Sequence, residues 1–314
     1  MVLTDDLQSL KIACHNCSQR LDMSALAPFS TVNCPNCGTL LTVPQWFSTY
    51  LLEDVIKSNN VASTYRALDV KLDREVAIKV LTHELAQDKN LSEIFLREAR
   101  STARLNHPGI VSIYLCGEFE NRPFLVMQYM QRGGVDEILK TKIQISFADA
   151  VKWLYQITRA LREAYNEGIT HGEITPQNIL LDSQNDARIG AFGINRALTM
   201  AGVDCGIDEQ YCSPESRNDI AVDDYRADVY SLGIVMYEMF TGSLPDDKPK
   251  FADARISRVL RRVIPEPLAK LIVQMLNHSS NARPDYQTII ETLKSCRDAK
   301  PGENSFWQKI FANK

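Results

Sequence analysis

The chain has 314 residues, 45% of them hydrophobic and 24% charged, with a formal net charge of −4. That length accommodates one large or two smaller globular domains. The slight acidity excludes a bulk electrostatic pull toward nucleic acid or an anionic membrane surface. No basic region leads into an apolar run at the N-terminus, so no signal peptide is expected. The longest apolar stretch, around residues 229–240, is broken by Ser231, Gly233 and Glu238 and is too short to span a bilayer. A cytoplasmic protein is expected.

Taken in chain order, the first signal is cysteine. Four of the eight form two pairs, Cys14-His-Asn-Cys17 and Cys34-Pro-Asn-Cys37. In a reducing compartment such pairs read as metal ligands, and two tight Cys-x-x-Cys turns can converge four thiolates on one tetrahedral zinc. An internal repeat supports this, since Ala13-Cys-x-Asn-Cys-Ser-x-x-Leu recurs as Asn33-Cys-x-Asn-Cys-Gly-x-x-Leu. Each half leads into a short strand-like run, 19–23 and 39–43. The segment from residue 10 to 45 resembles a zinc ribbon with Cys14, Cys17, Cys34 and Cys37 as ligands and a structural zinc. So small a module cannot build a sufficient core, so metal is expected to be required for its folding. Its one cation between Cys14 and Val43 is Arg20, which argues for protein contact or a structural role over nucleic-acid binding. His15, between ligands, is expected to face solvent. Cys116, Cys205, Cys212 and Cys296 are scattered and read as small buried or half-buried residues.

From about Tyr50 the pattern turns strand-rich, and from about Ser92 helices dominate. Val76-Ala-Ile-Lys79 and Leu125–Tyr129 read as strands. Ser92 is the expected N-cap of a helix carrying Phe95, Glu98 and Leu105, ended by His107-Pro108. Ser146-x-x-Asp149 is a capping-box-like start for a helix through Ala164, closed by Gly168. An apolar helix is expected over 228–241, ended by Gly242, and others over 257–263, 268–276 and 286–295. Five strands followed by many helices suit an α+β fold.

These residues carry a resemblance. Val76-Ala-Ile-Lys79, Phe95-Leu-Arg-Glu98, His107-Pro-Gly-Ile-Val111, Leu125-Val-Met-Gln-Tyr129, His171–Asn178, Ala191-Phe-Gly193, Ser213-Pro-Glu215, Asp228-Val-Tyr-Ser-Leu-Gly233 and Arg283-Pro284 follow the order and spacing of Ser/Thr protein kinase motifs. The stretch 50–296 resembles that family. The resemblance implies a two-lobed fold, a strand-rich N-lobe and a larger helical C-lobe. It implies nucleotide contact by Lys79, paired with Glu98, with Met127 as gatekeeper and Asn178 as a metal or nucleotide contact. It also implies a packing role for His171, Phe192 and Asp228, and an ion pair between Glu215 and Arg283.

The departures fall on the residues that handle charge. Lys57, Asn59 and Ala62 stand where the phosphate-covering loop has three glycines, hindering close backbone approach. Gly172 replaces the arginine that reads a phosphorylated activation segment. Glu173 replaces the catalytic aspartate, a carboxylate displaced by about 1 Å. Thr175 replaces the lysine that steadies the transferring phosphate. Ala191 replaces the magnesium-binding aspartate, and the spacing of Asp182, Asp186 and Asp204 supports no substitute. Within residues 194–212, Thr199 is the main phosphorylatable residue, and Asp208 falls near a substrate-reading position.

The pattern therefore reads as a pseudokinase, a scaffold or allosteric partner rather than an enzyme. ATP contact stays open and magnesium is not expected. The alternative is an active atypical Ser/Thr kinase with Glu173 as base; a nucleic-acid-binding zinc-ribbon protein is the third reading. Protein partners are expected through the kinase-like domain, the ribbon or the tail. In that tail, 297–314, Phe306, Trp307, Ile310 and Phe311 recur at helical spacing beyond Pro301-Gly302.

Overall fold

Two short antiparallel hairpins open the structure: β1 (Lys11–Ala13) with β2 (Arg20–Asp22), and β3 (Thr31–Asn33) with β4 (Leu40–Thr42). The sequence repeat is a backbone repeat. Cys14 N donates to Gln19 O and Ser18 N to Cys14 O; Cys34 N donates to Thr39 O and Gly38 N to Cys34 O, all at 2.8 Å. Ser18 (φ 59°) and Gly38 (φ 72°) take the same left-handed position in the two turns. The structure, a computed structural model, describes residues 10–219, 224–245 and 254–298. The tail expected at 297–314 lies, from residue 299 on, outside the described residues.

The hairpins run into a six-stranded antiparallel sheet. Its strands are β5 (Gln45–Phe47), β6 (Tyr50–Ser58), β7 (Ala62–Asp69), β8 (Arg74–Leu81), β9 (Ile113–Phe119) and β10 (Arg122–Gln128), in the order β5-β6-β7-β8-β10-β9. Five strands from about Tyr50 were expected; the sheet has a sixth, beginning at Gln45. Phe47 anchors it, edge-on to Phe119 and Phe124 with ring centroids 5.0 and 5.2 Å away. A second cluster joins the hairpins to this sheet: Met23, Leu41 and Val43 pack with Trp46 and Leu51, and Phe29 stacks on Tyr65 at 5.5 Å.

Between β8 and β9 come α1 (His83–Ala86) and α2 (Lys89–Thr102). The expected N-cap, Ser92, lies inside α2. Asp88 caps it instead, its side chain accepting the amides of Asn90 (2.8 Å) and Leu91 (3.3 Å), so the helix starts a turn early. It also ends earlier, at Thr102.

The second unit comprises Arg104–Val111 and the chain from Met130 on. It contains α3 (Val135–Lys140), α4 (Phe147–Asn166), a 3-10 turn (Pro176–Asn178), the hairpin β11 (Ile179–Leu181) with β12 (Ala187–Ile189), and α5 (Ile194–Met200). It continues through α6 (Pro214–Asn218), α7 (Tyr225–Thr241), α8 (Ala254–Leu260), α9 (Glu266–Met275) and α10 (Tyr286–Asp298). Ser146 caps α4 as expected, its hydroxyl accepting Asp149 N at 3.1 Å; that hydroxyl also donates to the Asp149 carboxylate at 2.7 Å. α7 is buried nearly all round and stops at Gly242, whose φ of 74° continues no helix. α7 and α9 approach closely at Gly233, where an added Cβ would lie 3.0 Å from Met275 Cβ.

A strand-rich unit is thus followed by a helical one, as the sequence implied. None of the described helices is long and apolar enough to cross a membrane.

Candidate functional site

The hairpin turns gather the paired cysteines. The Sγ atoms of Cys14, Cys17, Cys34 and Cys37 all lie within 4.8 Å of one another. Cys14 and Cys37 are 3.7 Å apart, and Cys17 and Cys34 are 3.6 Å apart. A tetrahedral zinc with Zn–S bonds of about 2.3 Å needs an S···S separation of about 3.8 Å, so the donor set fits such an ion. The Thr39 hydroxyl and amide beside Cys37 pull its thiol down to about 5, while burial pushes the Cys34 thiol up to about 11. His15 is exposed, as expected of a turn residue. Of the scattered cysteines, Cys205 is buried and the other three are half-buried.

The positions of the glycine pattern sit on the hairpin joining β6 to β7. Lys57 pairs across the strands with Thr64, and Ser58 with Ser63. Asn59 closes the tip. Its Oδ1 accepts the amides of Val61 (3.0 Å) and Ala62 (2.9 Å), while its own amide donates to Ala62 O (3.2 Å). Lys57 is exposed, as expected of a solvated tip, but Val61 is buried at 1% exposure. Side-chain capping thus consumes the amides that a phosphate-covering loop presents to its ligand. Lys79 lies half-buried in the middle of β8, opposite Thr64 on β7 and Leu125 on β10. Glu98 on α2 meets Arg97 Nη2 at 3.0 Å. Met127 follows a register shift in β10 and stands opposite Ala77.

In the second unit the loop 171–178 is held from below by α7. The Asp228 carboxylate accepts the amides of His171 (2.7 Å) and Gly172 (2.8 Å), a hydrogen-bonding role where packing alone was expected. The His171 ring lies 4.5 Å from that of Phe192, its Nε2 donates to Gly190 O at 2.8 Å, and its Nδ1 accepts Glu173 N at 3.1 Å. Complete burial holds this imidazole neutral, its pKa lowered to about 4. Asn178 Nδ2 donates to Glu173 O at 2.8 Å, and Asn178 O accepts Gly190 N at 3.0 Å. Thr175 is buried at the start of the 3-10 turn.

Ala191 keeps an unusual backbone. Its φ is 64°, a left-handed conformation rare for a residue with a Cβ, and it presents a methyl group where the pattern has a metal-binding carboxylate. The carboxylates nearby in sequence are employed elsewhere. Asp182 and Asp186 sit at the closed end of the β11–β12 hairpin, roughly 10 Å of strand from Asn178. There Asp182 accepts Gln184 N (2.9 Å) and Asp186 meets Lys152 (2.8 Å). Asp204 accepts Gly206 N at 3.0 Å.

The expected pair of Glu215 and Arg283 forms. Arg283, 5% exposed, donates Nη2 to Glu215 Oε2 at 2.8 Å and also bonds the carbonyls of Arg226 and Asn277. Burial opposes the charge on Glu215, but the guanidinium wins and holds its carboxyl below the usual range.

A model of the protein kinase domain matches residues 52–293. The chain belongs to the protein kinase domain family. This kinase domain is 33% identical over 281 residues to a probable serine/threonine-protein kinase of Clostridium acetobutylicum, covering 84% of this chain and 41% of that protein. It is 33% identical over 239 residues to the serine/threonine-protein kinase PknB of Mycobacterium leprae, covering 73% of this chain and 38% of that one. The chain spans about two fifths of the length of these relatives. Among solved structures, the PknI kinase domain of Mycobacterium tuberculosis aligns with a TM-score of 0.62 at 21% identity, covering 81% of this chain and 98% of that one, a likeness of fold.

Two residues at the kinase loop were missed from sequence. Asn195 Nδ2 donates to Glu173 Oε2 at 2.8 Å, and Arg196 Nη1 donates to Thr170 Oγ1 at 3.1 Å. Both lie on α5, in the activation segment, whose family motif specifies no residue at either place. Their one sequence signal is adjacency to Gly193.

Proposed function

We propose that this kinase domain is a pseudokinase, a scaffold or allosteric signalling partner joined to a zinc ribbon. The observation that carries the reading is Ala191: it stands at the metal-binding position of the family pattern, with φ 64°, and its side chain offers no oxygen. The tip capped by Asn59 supports it, because loop amides already bonded to Oδ1 are not available to phosphates. Ala191 offers Mg²⁺ no ligand and the capped tip offers ATP phosphates no free Val61 or Ala62 amide, and the reading assigns no phosphoryl transfer to this chain. Weak, metal-independent nucleotide contact through Lys79 and Met127 belongs to the same reading. The proposed organisation is a ribbon over 10–45 with zinc on Cys14, Cys17, Cys34 and Cys37, a kinase-like domain over 50–296, and a tail over 297–314. Protein partners would be met by the ribbon, the kinase-like domain or the tail, in the cytoplasm.

The test is titration calorimetry of the full chain with ATP, with and without Mg²⁺, beside a phosphotransfer assay. The expected result is no Mg²⁺-enhanced binding and no transfer. Transfer that disappears in Lys79→Ala would overturn it.

A second reading, an active atypical Ser/Thr kinase, is favoured by Glu173, which keeps a carboxylate at the base position beside Asn178. It requires Mg²⁺-dependent stabilisation by ATP, and a melting temperature unmoved at saturating Mg²⁺ and ATP would remove it.

A further inference from the structure

The activation segment and the catalytic loop meet in an arrangement that the family pattern does not contain. Position 172, where that pattern has an arginine, is a glycine with φ 75°. A Cβ built on it would lie 3.0 Å from Arg196 Cδ, 3.3 Å from Nε and 3.4 Å from Nη1. The Arg196 side chain therefore lies directly against the Gly172 backbone, and its Nη1 continues to Thr170 Oγ1. The preceding residue, Asn195, holds the Glu173 carboxylate. Two consecutive residues of α5 thus grip two consecutive residues of the loop.

The grip is well founded at both ends. On the loop side, the Asp228 carboxylate fixes the amides of His171 and Gly172. On the segment side, Gly193 is the N-cap of α5 and its amide donates to His171 O at 3.2 Å. Thr199, the segment's main phosphorylatable residue, turns its hydroxyl back to Asn195 O at 2.8 Å.

We propose that Arg196 is a positioning residue that has taken over, from the activation segment, the ordering role of the arginine missing at position 172. A loop arginine orders the segment through a phosphate, because two separate elements need a charged bridge. An arginine already on the segment makes the bridge itself: its stem packs on a glycine and its Nη1 bonds the Thr170 hydroxyl. The segment is then closed in the unphosphorylated chain, and α5, through Asn195, covers the Glu173 carboxylate. Gly172 is the other half of the device, since a Cβ there would press on Arg196 and force its side chain to give by a few tenths of an ångström. The inference concerns the order of α5 and the exposure of Glu173, and it stands whether or not the domain transfers phosphate.

The experiment uses phosphatase-treated full-length chain without nucleotide. Amide hydrogen exchange over 194–200 reads the order of α5, and carbodiimide-driven amine labelling, located by mass spectrometry, reads access to Glu173. In the wild type the segment should be protected and Glu173 labelled slowly. Arg196→Ala should lower that protection at least tenfold and speed Glu173 labelling severalfold. Asn195→Ala should speed labelling with a smaller loss of protection. Gly172→Ala should lower protection; the strain of its left-handed backbone is common to both backgrounds, so its cost in the Arg196→Ala background should be smaller than in the wild type by the Arg196-dependent share. Equal cost in both backgrounds, or a wild-type segment protected only after phosphorylation of Thr199, overturns the proposal. Should Arg196→Ala fail to fold, Arg196→Lys keeps the charge without the planar fork and should label Glu173 at an intermediate rate; a wild-type rate there also overturns it.

Discussion

The side-chain oxygen of Asn59 lies 2.9 Å from the backbone nitrogen of Ala62, so two of the three positions where kinases place loop glycines are bonded to each other. The loop has become a capped hairpin in which amides serve the turn. Asn59→Gly removes both side-chain bonds and adds chain entropy to the unfolded state. It is expected to destabilise the chain by roughly 1 kcal/mol in chemical denaturation, and it should bring no Mg²⁺-dependent ATP binding by itself.

Ala191 provides the complementary experiment. A left-handed alanine costs about 1 kcal/mol, so Ala191→Gly should move the urea midpoint upward with an unchanged m-value. Ala191→Asp, a residue that tolerates this conformation better, should keep stability near that of the wild type and supply a metal ligand. Combined with Asn59→Gly, it is expected to produce a Mg²⁺-dependent rise in melting temperature with ATP. Such a rise in the wild type would contradict the pseudokinase reading.

Zinc should be present at one ion per chain. The ribbon cluster shares Trp46 and Leu51 with the sheet, so metal loss should be felt beyond the hairpins. Chelation, or Cys34→Ser, is expected to lower the melting temperature and shift Trp46 emission to the red. The emission change should vanish in Trp46→Phe. A metal-free preparation with unchanged melting would refute a structural zinc.

His171 gives the domain a defined response to acid. The unfolded imidazole takes up a proton near pH 6.5, while the buried folded ring stays neutral down to about 4. Between those values the unfolded state binds more protons, so stability is full above pH 6.5 and falls as the pH is lowered toward 4. The loss is on the order of 3 kcal/mol. Urea titrations at pH 7.5 and 5 should show about 2 kcal/mol of it, and His171→Gln should flatten that part of the profile.

Arg283→Ala should be among the most damaging single changes. It strands the half-buried Glu215 carboxylate and leaves carbonyls of Arg226 and Asn277 without their donor, at a cost of about 3 kcal/mol or more. Glu215→Ala in the same background should cost little further, because the partner is already gone.

What the sequence determined by itself was whatever short-range chemistry writes into adjacent residues. The Cys-x-x-Cys repeat specified two like turns, Ser146 and Asp149 specified a helix start, and Gly242 a helix end. In each case the interacting groups are a few residues apart. The ordered kinase motifs carried the family and the two-lobed fold. Even local competition was harder to read: Asp88 outranked Ser92 as a cap because its side chain reaches two amides at once. Phe47 made an edge strand out of an apparent linker by packing on rings some seventy residues away. Only the tertiary structure decided the state of the loop centred on Glu173. Residue 173 alone shows a retained carboxylate, and residue 172 alone shows a lost arginine. Folding brings Asn195 to the first and Arg196 to the second. Contacts of that kind depend on where two segments meet in space, and no spacing rule within either segment encodes them.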